Sequence, residues 1–458
     1  MDPRDEAMHR DVPAGHQQRR AGRPLDRRGE AMHPHDGSEG CSTPGRRRYR
    51  LADEVVEAFA RLDRLTAGDA VDTERLDGFV EARRRTRRKV RELGSALRHG
   101  TVASPLLGGA DASRAWPLYR PMAGGAPVFP EEQGAVHTLP SIEGETVHVG
   151  WFDPALAPVL TVESGDTVSY VDTMTHCAGR VCLNMTVAER EALRADYPAA
   201  PHSNIGPVAV RGAEPGDVIE CRILKADPID WGFNNSGPGR GTLPDDFDRP
   251  HLRFFHFDRE RMTTEFLPGI EIPLGPFQGI LGVQPPGDRP APSGPPGRYG
   301  GNMDLRELVA GTALFVPVFH PGGKLWTSDS HAAQGDGEVN LTAIETAMRE
   351  VRIQYVLHKQ VGLAWPMVET PTHWISLGMD PDLDAAHTIA LRQMIRFLEA
   401  GLAMDPLDAY SLCSIAVTFR ITQSVDGNKG VHGMLPKDLF RADLRERLSL
   451  VAPRQPRA

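Results

Sequence analysis

The sequence predicts a mixed, β-dominated fold of the sandwich or barrel-like kind, with an α+β portion near its end and a helical N-terminal extension. Its 458 residues include 46 glycines and 39 prolines, almost one residue in five. This frequency favours many turns between short strands and disfavours a helical bundle. Short alternating apolar runs begin near residue 115, whereas helical periodicity is found before residue 100 and after residue 380.

Composition and charge exclude several classes of protein. The formal charge of −9 and the pI near 6.0 argue against a nucleic-acid-binding protein. No run of about 18 apolar residues is present, so we expect no membrane span. The five cysteines are irregularly spaced and indicate neither a disulfide framework nor a CxxC metal site. With no apolar segment typical of a secretory signal, the simplest expectation is a cytoplasmic protein.

The first hundred residues divide into two segments. Residues 1–50 are rich in arginine and contain no Ile, Phe or Trp, so we expect a disordered basic segment. Residues 51–100 carry apolar side chains at spacings of three and four, beginning with Leu51, Val55 and Phe59. This spacing predicts a helical extension.

The pattern of apolar residues divides the remaining sequence into three regions. We expect an N-terminal β domain over residues 115–230, where Thr167–Tyr170 and Val208–Val210 alternate like strands. A central β region is expected over residues 231–345. The α+β portion is expected over residues 346–445.

Two helices and a strand are predicted in that last portion. Leu383, Leu391, Ile395 and Leu398 lie on one face of a helix. Asp405-Pro406 then supplies a cap and a first-turn proline for a second helix through Leu412. The alternation from Phe419 to Val425 is typical of a strand.

The densest polar cluster, residues 328–338, is the first candidate site. Asp329 and His331 are two residues apart, so on a strand they project from the same face. Carboxylate and imidazole together suit a divalent metal, with zinc the first choice for a mixed nitrogen and oxygen set. The competing interpretation is a surface turn whose acidic side chains cap nearby backbone groups.

Other polar residues are candidates for the same site. His176, His202 and His320 follow or precede predicted strands, where loop residues often bind ligands. Cys177 is a possible nucleophile beside His176, although neighbouring strand residues point to opposite faces. Asn302 and Asp304 either present an amide and a carboxylate to a substrate or cap a short helix near Leu305.

Several ordered blocks resemble the acetamidase/formamidase family, over about residues 140–440. The blocks that carry the resemblance are SGDTV at 164–168, DTMTH at 172–176, PHSNIGP at 201–207, GAEPGD at 212–217, PPG at 295–297 with GGNMD at 300–304, DSHAAQGDGE at 329–338, QSVD at 423–426 and GVH at 430–432. The resemblance implies a β-rich architecture with an α+β portion, often oligomeric. It also implies hydrolysis of small linear amides to ammonia and a carboxylate.

A working mechanism assigns roles to these residues. We hypothesise that His176, His202, Asp329 and His331 hold a divalent metal, most simply zinc, which activates water. Glu338, with Asp336 nearby, would move protons, and Asn302 would stabilise the oxyanion. Gln334, Asp304 and His320 are expected to bind the substrate. The expected partners are a small amide and further copies of the chain, with no nucleic acid and no membrane.

Three alternatives stay open at this point. Cys177 or a glutamate could be the nucleophile, without a metal. The chain departs from the family pattern at residues 235–241, at His320 and at Trp326, which would suit an amidase for a larger or cyclic amide. A non-catalytic ligand-binding homologue is the third possibility.

Overall fold

The computed structural model describes Phe129 and residues 134–451. The predicted basic segment (1–50) and the predicted helical extension (51–100) lie outside the described residues. Within the described residues the fold is β-dominated, as the sequence predicts.

The described chain contains 22 strands. Their bounds are β1 Val136–Pro140, β2 Val147–Val149, β3 Trp151–Phe152, β4 Leu160–Val162, β5 Thr167–Val171, β6 Ser203–Val210, β7 Val218–Pro228, β8 Trp231–Ser236, β9 His251–Asp258, β10 Thr263–Leu267, β11 Ile270–Pro273, β12 Phe277–Gly282, β13 Ala291–Pro292, β14 Gly300–Asn302, β15 Ala313–Pro317, β16 Leu325–Ala333, β17 Ile344–Glu345, β18 Met348–His358, β19 Met367–Glu369, β20 His373–Asp380, β21 Thr418–Gln423 and β22 Lys429–Pro436. The runs that the sequence predicts as strands within β5, β6 and β21 are therefore confirmed as strands.

Four α-helices and one short 3₁₀ segment accompany the strands. They are α1 Val187–Ala195, α2 Leu383–Leu402, α3 Pro406–Ala416, the 3₁₀ segment Lys437–Leu439 and α4 Ala442–Arg445. Thr186 begins α1 with a capping box, because its side chain accepts from the Glu189 N–H while the Glu189 side chain accepts from the Thr186 N–H. The predicted cap of α3 is confirmed, since Asp405 accepts from the Leu407 N–H and Pro406 follows it.

One of the two large sheets has nine strands, in the order β1-β5-β18-β7-β15-β19-β20-β22-β21. Its only parallel pair is β1 with β5, among the pairings of the described strands in this sheet. Strand β18 lies between β5 and β7, and β15 pairs with the other edge of β7. The sheet therefore combines strands from all three predicted regions, and its strand order does not follow the sequence.

The second large sheet has eleven strands and carries most of the polar cluster. Its main path is β11-β10-β9-β8-β17-β16-β12-β14, and β6 joins β16 to the short strands β2 and β4. Strands β13 and β3 form a separate pair. Both large sheets end in edge strands, so the described strands do not close into the barrel that the sequence left possible.

The largest apolar core takes residues from both large sheets. It includes Val168, Ile219 and Leu314 from the first sheet and Ile205, Leu281 and Leu325 from the second. Each such side chain contributes about 1.5–3 kcal/mol on burial. A second core lies under α2, where Phe397 packs against Trp374 of β20 with ring centroids 5.5 Å apart.

The helices of the described residues are short or polar relative to the thickness of a bilayer. None of them is long and apolar enough to serve as a membrane span.

One buried carboxylate ties a turn to the middle of the nine-stranded sheet. Asp217, at the end of the GAEPGD turn, accepts from the Glu214 N–H at 2.8 Å and the Gln360 N–H at 2.9 Å. The Lys359 ammonium lies 2.5 Å from Oδ2, the oxygen that also accepts from the Glu214 N–H. Burial alone would raise the pKa of Asp217, but Lys359 and the N–H donors outweigh burial and lower the pKa.

We expect Asp217→Asn to lower the free energy of unfolding by about 1.5–3 kcal/mol at pH 7, since hydrogen bonds to charged groups contribute that much. Because the folded pKa is below the unfolded one, this contribution is complete above the unfolded pKa of about 3.9 and disappears as the pH falls through the folded pKa. Urea unfolding at pH 7 and pH 3 measures both effects. Exposed Asp288→Asn is the control, and a wild-type advantage that does not shrink at pH 3 would contradict the assignment.

Candidate active site

Strand β16 brings the DSHAAQGDGE block into the interior. Asp329 and His331 are both buried, and β16 is flanked by β12 and β17. Asp329 adopts a left-handed φ of 58°, and the β12 pairing passes from Ile280↔Ser328 to Gln278↔Ser330 across it. Simple alternation therefore does not set the side-chain directions here. A non-glycine residue with this backbone is strained and is typical of functional sites.

Both distant histidines reach Asp329. His176, in the loop after β5, has its Nε2 atom 2.8 Å from Oδ1 of Asp329. His202 directly precedes β6, and its Nε2 atom lies 4.0 Å from Oδ2 of Asp329. The other nitrogen of His202 hydrogen-bonds Ser293 Oγ at 3.0 Å, which orients the ring.

His331 completes the set of four residues that the sequence predicted as ligands. Its Nε2 atom lies 3.3 Å from Oδ2 of Asp329, and its Nδ1 atom is 3.0 Å from Oε1 of Gln334. Gln334 in turn donates to the backbone carbonyl of Asp304 at 2.6 Å. Gln334 thus orients a histidine from behind, as outer partners of metal ligands do.

A fifth residue, Glu345 on β17, belongs to the same group and was missed by sequence reasoning. Its Oε2 atom lies 3.3 Å from Nε2 of His176 and 3.2 Å from Nε2 of His331. The sequence signal for Glu345 is a single carboxylate directly after the apolar pair Ala343-Ile344. An acid in a buried strand needs a partner, so this pattern indicates a paired or ligand-binding carboxylate. The sequence reasoning did not use it because Glu345 lies beyond the dense polar block.

The charges in this group stabilise one another. Burial alone raises the pKa values of Asp329 and Glu345, but the surrounding histidines outweigh burial and lower both. Burial likewise lowers the pKa of His331, and the two carboxylates more than offset it, so the pKa is raised. For His202 burial dominates and lowers the pKa to about 4, which keeps this imidazole neutral at pH 7.

Three further carboxyl groups lie beside the first group. Asp304 and Glu338 each bring an oxygen within 4.8 Å of a His331 ring nitrogen, and Asp426 lies close enough to interact with Asp304. Burial raises the pKa of Asp304 to about 7. Burial first, and then repulsion among the three, raises the pKa values of Glu338 and Asp426 well above the usual range.

These donors fit a divalent cation. One ligand atom from each of His176, His202 and Asp329 lies within 4.8 Å of the others, and the same holds for Asp329, His331 and Glu345. Within the described residues, Nε2 of His331 and Oε2 of Glu345 are buried without a hydrogen-bond partner. Unsatisfied buried donor and acceptor atoms are costly unless an ion or water meets them.

The group opens into a cavity of about 660 Å³. Asn302, on β14, lines this cavity, and its Oδ1 atom has no hydrogen-bond partner among the described residues. No helix begins near Leu305 in the described chain, so Asn302 and Asp304 do not cap one. The residues of the centre that line the cavity are His176, His202, Asn302, Asp304, Asp329, Glu338, Glu345 and Asp426.

Other candidates lie away from the cavity. Asp336 is exposed, with carboxylate oxygens 3.6 Å from the guanidinium groups of Arg306 and Arg420. His320 is half-buried, and its Nε2 atom bonds to the Pro285 carbonyl at 2.8 Å. The structure therefore does not bring these two residues to the centre.

Cys177 is fully buried and is absent from the cavity lining. Burial raises the pKa of its thiol, which disfavours the nucleophilic thiolate. Neither its position nor its protonation favours the cysteine alternative.

The fold and the site define a β-rich protein with a buried histidine–carboxylate centre. Comparisons with known proteins identify its family. Residues 137–292 and 287–442 match the Acetamidase/Formamidase family. The chain belongs to this family. The predicted resemblance is thereby confirmed.

Individual relatives agree with this assignment. An acetamidase from Mycolicibacterium smegmatis is 27% identical over 206 aligned positions, covering 32% of this chain and 51% of that protein. The crystal structure of an acetamidase from Bacillus halodurans matches with a TM-score of 0.61 at 28% identity, covering 68% of this chain and 100% of that one. For an acetamidase from Yersinia enterocolitica the TM-score is 0.62 at 30% identity, with 69% and 96% covered. The chain spans about half the length of two curated relatives, the Mycolicibacterium protein and one from Schizosaccharomyces pombe.

The centre leaves no space for a side chain at Gly279 of β12. A Cβ atom there would collide with Oδ1 of Asp304 and would lie 2.8 Å from Oδ2 of Asp329 and 2.9 Å from Cε1 of His331. Gly279 therefore lets three site residues approach the strand backbone.

We expect Gly279→Ala to lower the free energy of unfolding by about 1–3 kcal/mol, because packed buried groups must shift to admit a methyl group. Gly335→Ala is the matched control, since a Cβ atom at Gly335 meets nothing within 4 Å. Chemical denaturation measures both variants. Equal effects at the two positions would show that the centre is not closely packed against β12.

Proposed function

We propose that this protein hydrolyses linear carboxamides and releases ammonia and a carboxylate. The observation that carries the proposal is the convergence of three histidines and two carboxylates beside Glu338, at the wall of one cavity. The names of the acetamidase relatives support the same reaction class. Amide hydrolysis needs a nucleophile, a group that stabilises the oxyanion and a proton for the leaving nitrogen.

We assign the cation to ligands drawn from His176, His202, Asp329, His331 and Glu345, with zinc the simplest choice for a mixed nitrogen and oxygen set that leaves one position to water. A Lewis acid at this position would make water a better nucleophile at neutral pH. Gln334 holds His331 in the orientation that directs Nε2 toward Asp329 and Glu345. His202 contributes a neutral imidazole, which is the form that binds metals.

The remaining cavity residues act on the substrate. Glu338 lines the cavity beside the centre. Burial and its acidic neighbours raise its pKa, and a cation held at the centre would favour its carboxylate form, which can accept a proton from the attacking water and deliver it to the leaving nitrogen. Asn302 lines the cavity, and its Oδ1 atom has no hydrogen-bond partner among the described residues. The Asn302 side chain can therefore bind the amide group of the substrate. Asp304, also in the lining, is a second group that can bind the substrate NH₂.

The wider expectations belong to the same proposal. Packing of the two large sheets around one apolar core supports a sandwich. Four free cysteines among the described residues support a reducing compartment such as the cytoplasm.

Two large apolar side chains are exposed on α3, Leu407 at 74% and Ile415 at 83%, and they support a homo-oligomer. A monomeric mass in analytical ultracentrifugation would contradict this expectation.

An ammonia-release assay over formamide, acetamide, propionamide and a cyclic amide tests the reaction. We expect release from the linear amides, loss of release after exhaustive chelation, and recovery on adding zinc, because the buried donors need a cation to act together. Elemental analysis of the same samples measures the metal. Activity that survives chelation with no metal present would exclude the metal, and no ammonia from any amide would favour a non-catalytic binding protein.

Glu338→Gln is expected to reduce kcat by about 10²–10⁴-fold, the usual contribution of a positioned acid or base. The bound metal content should change little, because Glu338 stands outside the five proposed ligands. Exposed Glu260→Gln in the turn after β9 is the control and should behave like wild type. A Glu338→Gln variant with wild-type kcat would remove Glu338 from the mechanism.

A further inference from the structure

Helix α1 presents two arginines to the cavity. Arg190 and Arg194 are one turn apart, so they lie on the same face of the helix. Arg240, from the loop after β8, lines the cavity near them. The capping box at Thr186 fixes the start of this helix and hence the positions of both side chains.

Arg190 is the unusual member of this group. It is only 4% exposed, yet its Nε and Nη1 atoms have no hydrogen-bond partner among the described residues. Burial lowers the pKa of Arg190, which reflects the cost of removing its charge from water. A buried guanidinium with two unpaired nitrogens is expensive to maintain, so its position in the cavity lining points to an anion that enters the cavity.

The neighbouring charges leave this part of the cavity positive. Arg240 forms a bidentate pair with Glu191, at 2.9 Å and 2.7 Å, so those two charges balance. Arg194 donates to the Tyr197 carbonyl, which leaves its own charge unneutralised. The other acidic residues of the lining all belong to the centre around Asp329.

The cavity is also large for the simplest amides. Its volume of about 660 Å³ is in the range of sites for ligands much larger than formamide or acetamide. A substrate that fills it needs a second group beyond the amide. The chemistry of the lining indicates that this second group is negative.

We propose that the preferred substrate is an amide that carries a carboxylate at its other end, a monoamide of a dicarboxylic acid. Arg190, which lines the cavity, binds the carboxylate through its guanidinium, whose planar fork of N–H donors matches two carboxylate oxygens. Arg194 adds positive charge, while the amide lies against the histidine–carboxylate centre. This inference rests on the proposed amide hydrolysis and specifies its substrate class.

The test compares succinamate with its methyl ester, which has nearly the same shape and no charge. For the full-length wild-type protein we expect kcat/KM for ammonia release to be at least about 10-fold higher with succinamate. Arg190→Met should remove most of this ratio, and Arg190→Lys should retain part of it, because lysine keeps the charge without the paired donors. Arg396→Met, on the exposed face of α2, is the matched control and should keep the wild-type ratio.

A second measurement does not depend on turnover. Calorimetric titration with succinate should show binding to wild type that weakens at least about 10-fold in Arg190→Met. Thermal unfolding of each variant shows whether it is folded. If Arg190→Met does not fold, the ratio of kcat/KM for succinamate to that for its methyl ester, measured in wild type and in Arg190→Lys, decides the substrate class.

The outcomes separate the two proposals. Equal kcat/KM for succinamate and its ester in wild type, or a ratio unchanged in Arg190→Met, would overturn the substrate class while ammonia release upholds the amidase. If no amide releases ammonia, the amidase proposal fails, and the titration alone then decides whether Arg190 binds carboxylates.

Discussion

The structure depends on charge balance at a buried point. Asp329 and Glu345 are almost entirely removed from water, and an isolated carboxylate there would be protonated or would destabilise the fold. His176 and His331 contact both carboxylates, with nitrogen–oxygen distances from 2.8 to 3.3 Å. Burial and attraction therefore oppose each other, and the histidines keep these two carboxylates ionised. The neighbouring carboxyls, which lack such contacts, hold protons more tightly.

The scaffold makes this balance possible by bringing distant segments together at β16. β12, β6 and β17 all pair with β16, and each supplies or adjoins a residue of the centre. Left-handed backbone at Asp304, Asp329 and Glu338 aims these side chains in directions that regular strands do not allow. Such strain persists because the surrounding sheet is well packed, and Gly279 provides the space that the carboxylates need.

The cavity joins two regions of opposite character. One contains the histidines and carboxylates that suit a cation and an uncharged amide, and the other contains Arg190 and Arg194 on a capped helix. Because the two regions share one cavity, chemistry and substrate selection are set by different elements, the sheet and α1. A relative with the same centre and another residue in place of Arg190 could then act on a different amide.

The sequence by itself determined much of this protein. Turn residues and alternation predicted the β-rich class, and Asp405-Pro406 predicted the start of α3. The DSHAAQGDGE block predicted the location of the centre, because polar residues so dense within an apolar context need a function. Of the five proposed ligands, the sequence predicted four, namely His176, His202, Asp329 and His331. Asp336 was selected for the same reason, yet it is exposed and pairs with Arg306 and Arg420 away from the cavity.

Only the tertiary structure decided which of these residues meet. Glu345 joins the centre through strand pairing between β16 and β17, and Asp426 joins it from a loop almost a hundred positions beyond Asp329. Arg190 resembles any surface arginine in the sequence, since a helix with low hydrophobicity gives no sign that one of its charges will be buried. Contacts between distant segments arise from sheet register and from strained backbone, and local residue patterns encode neither.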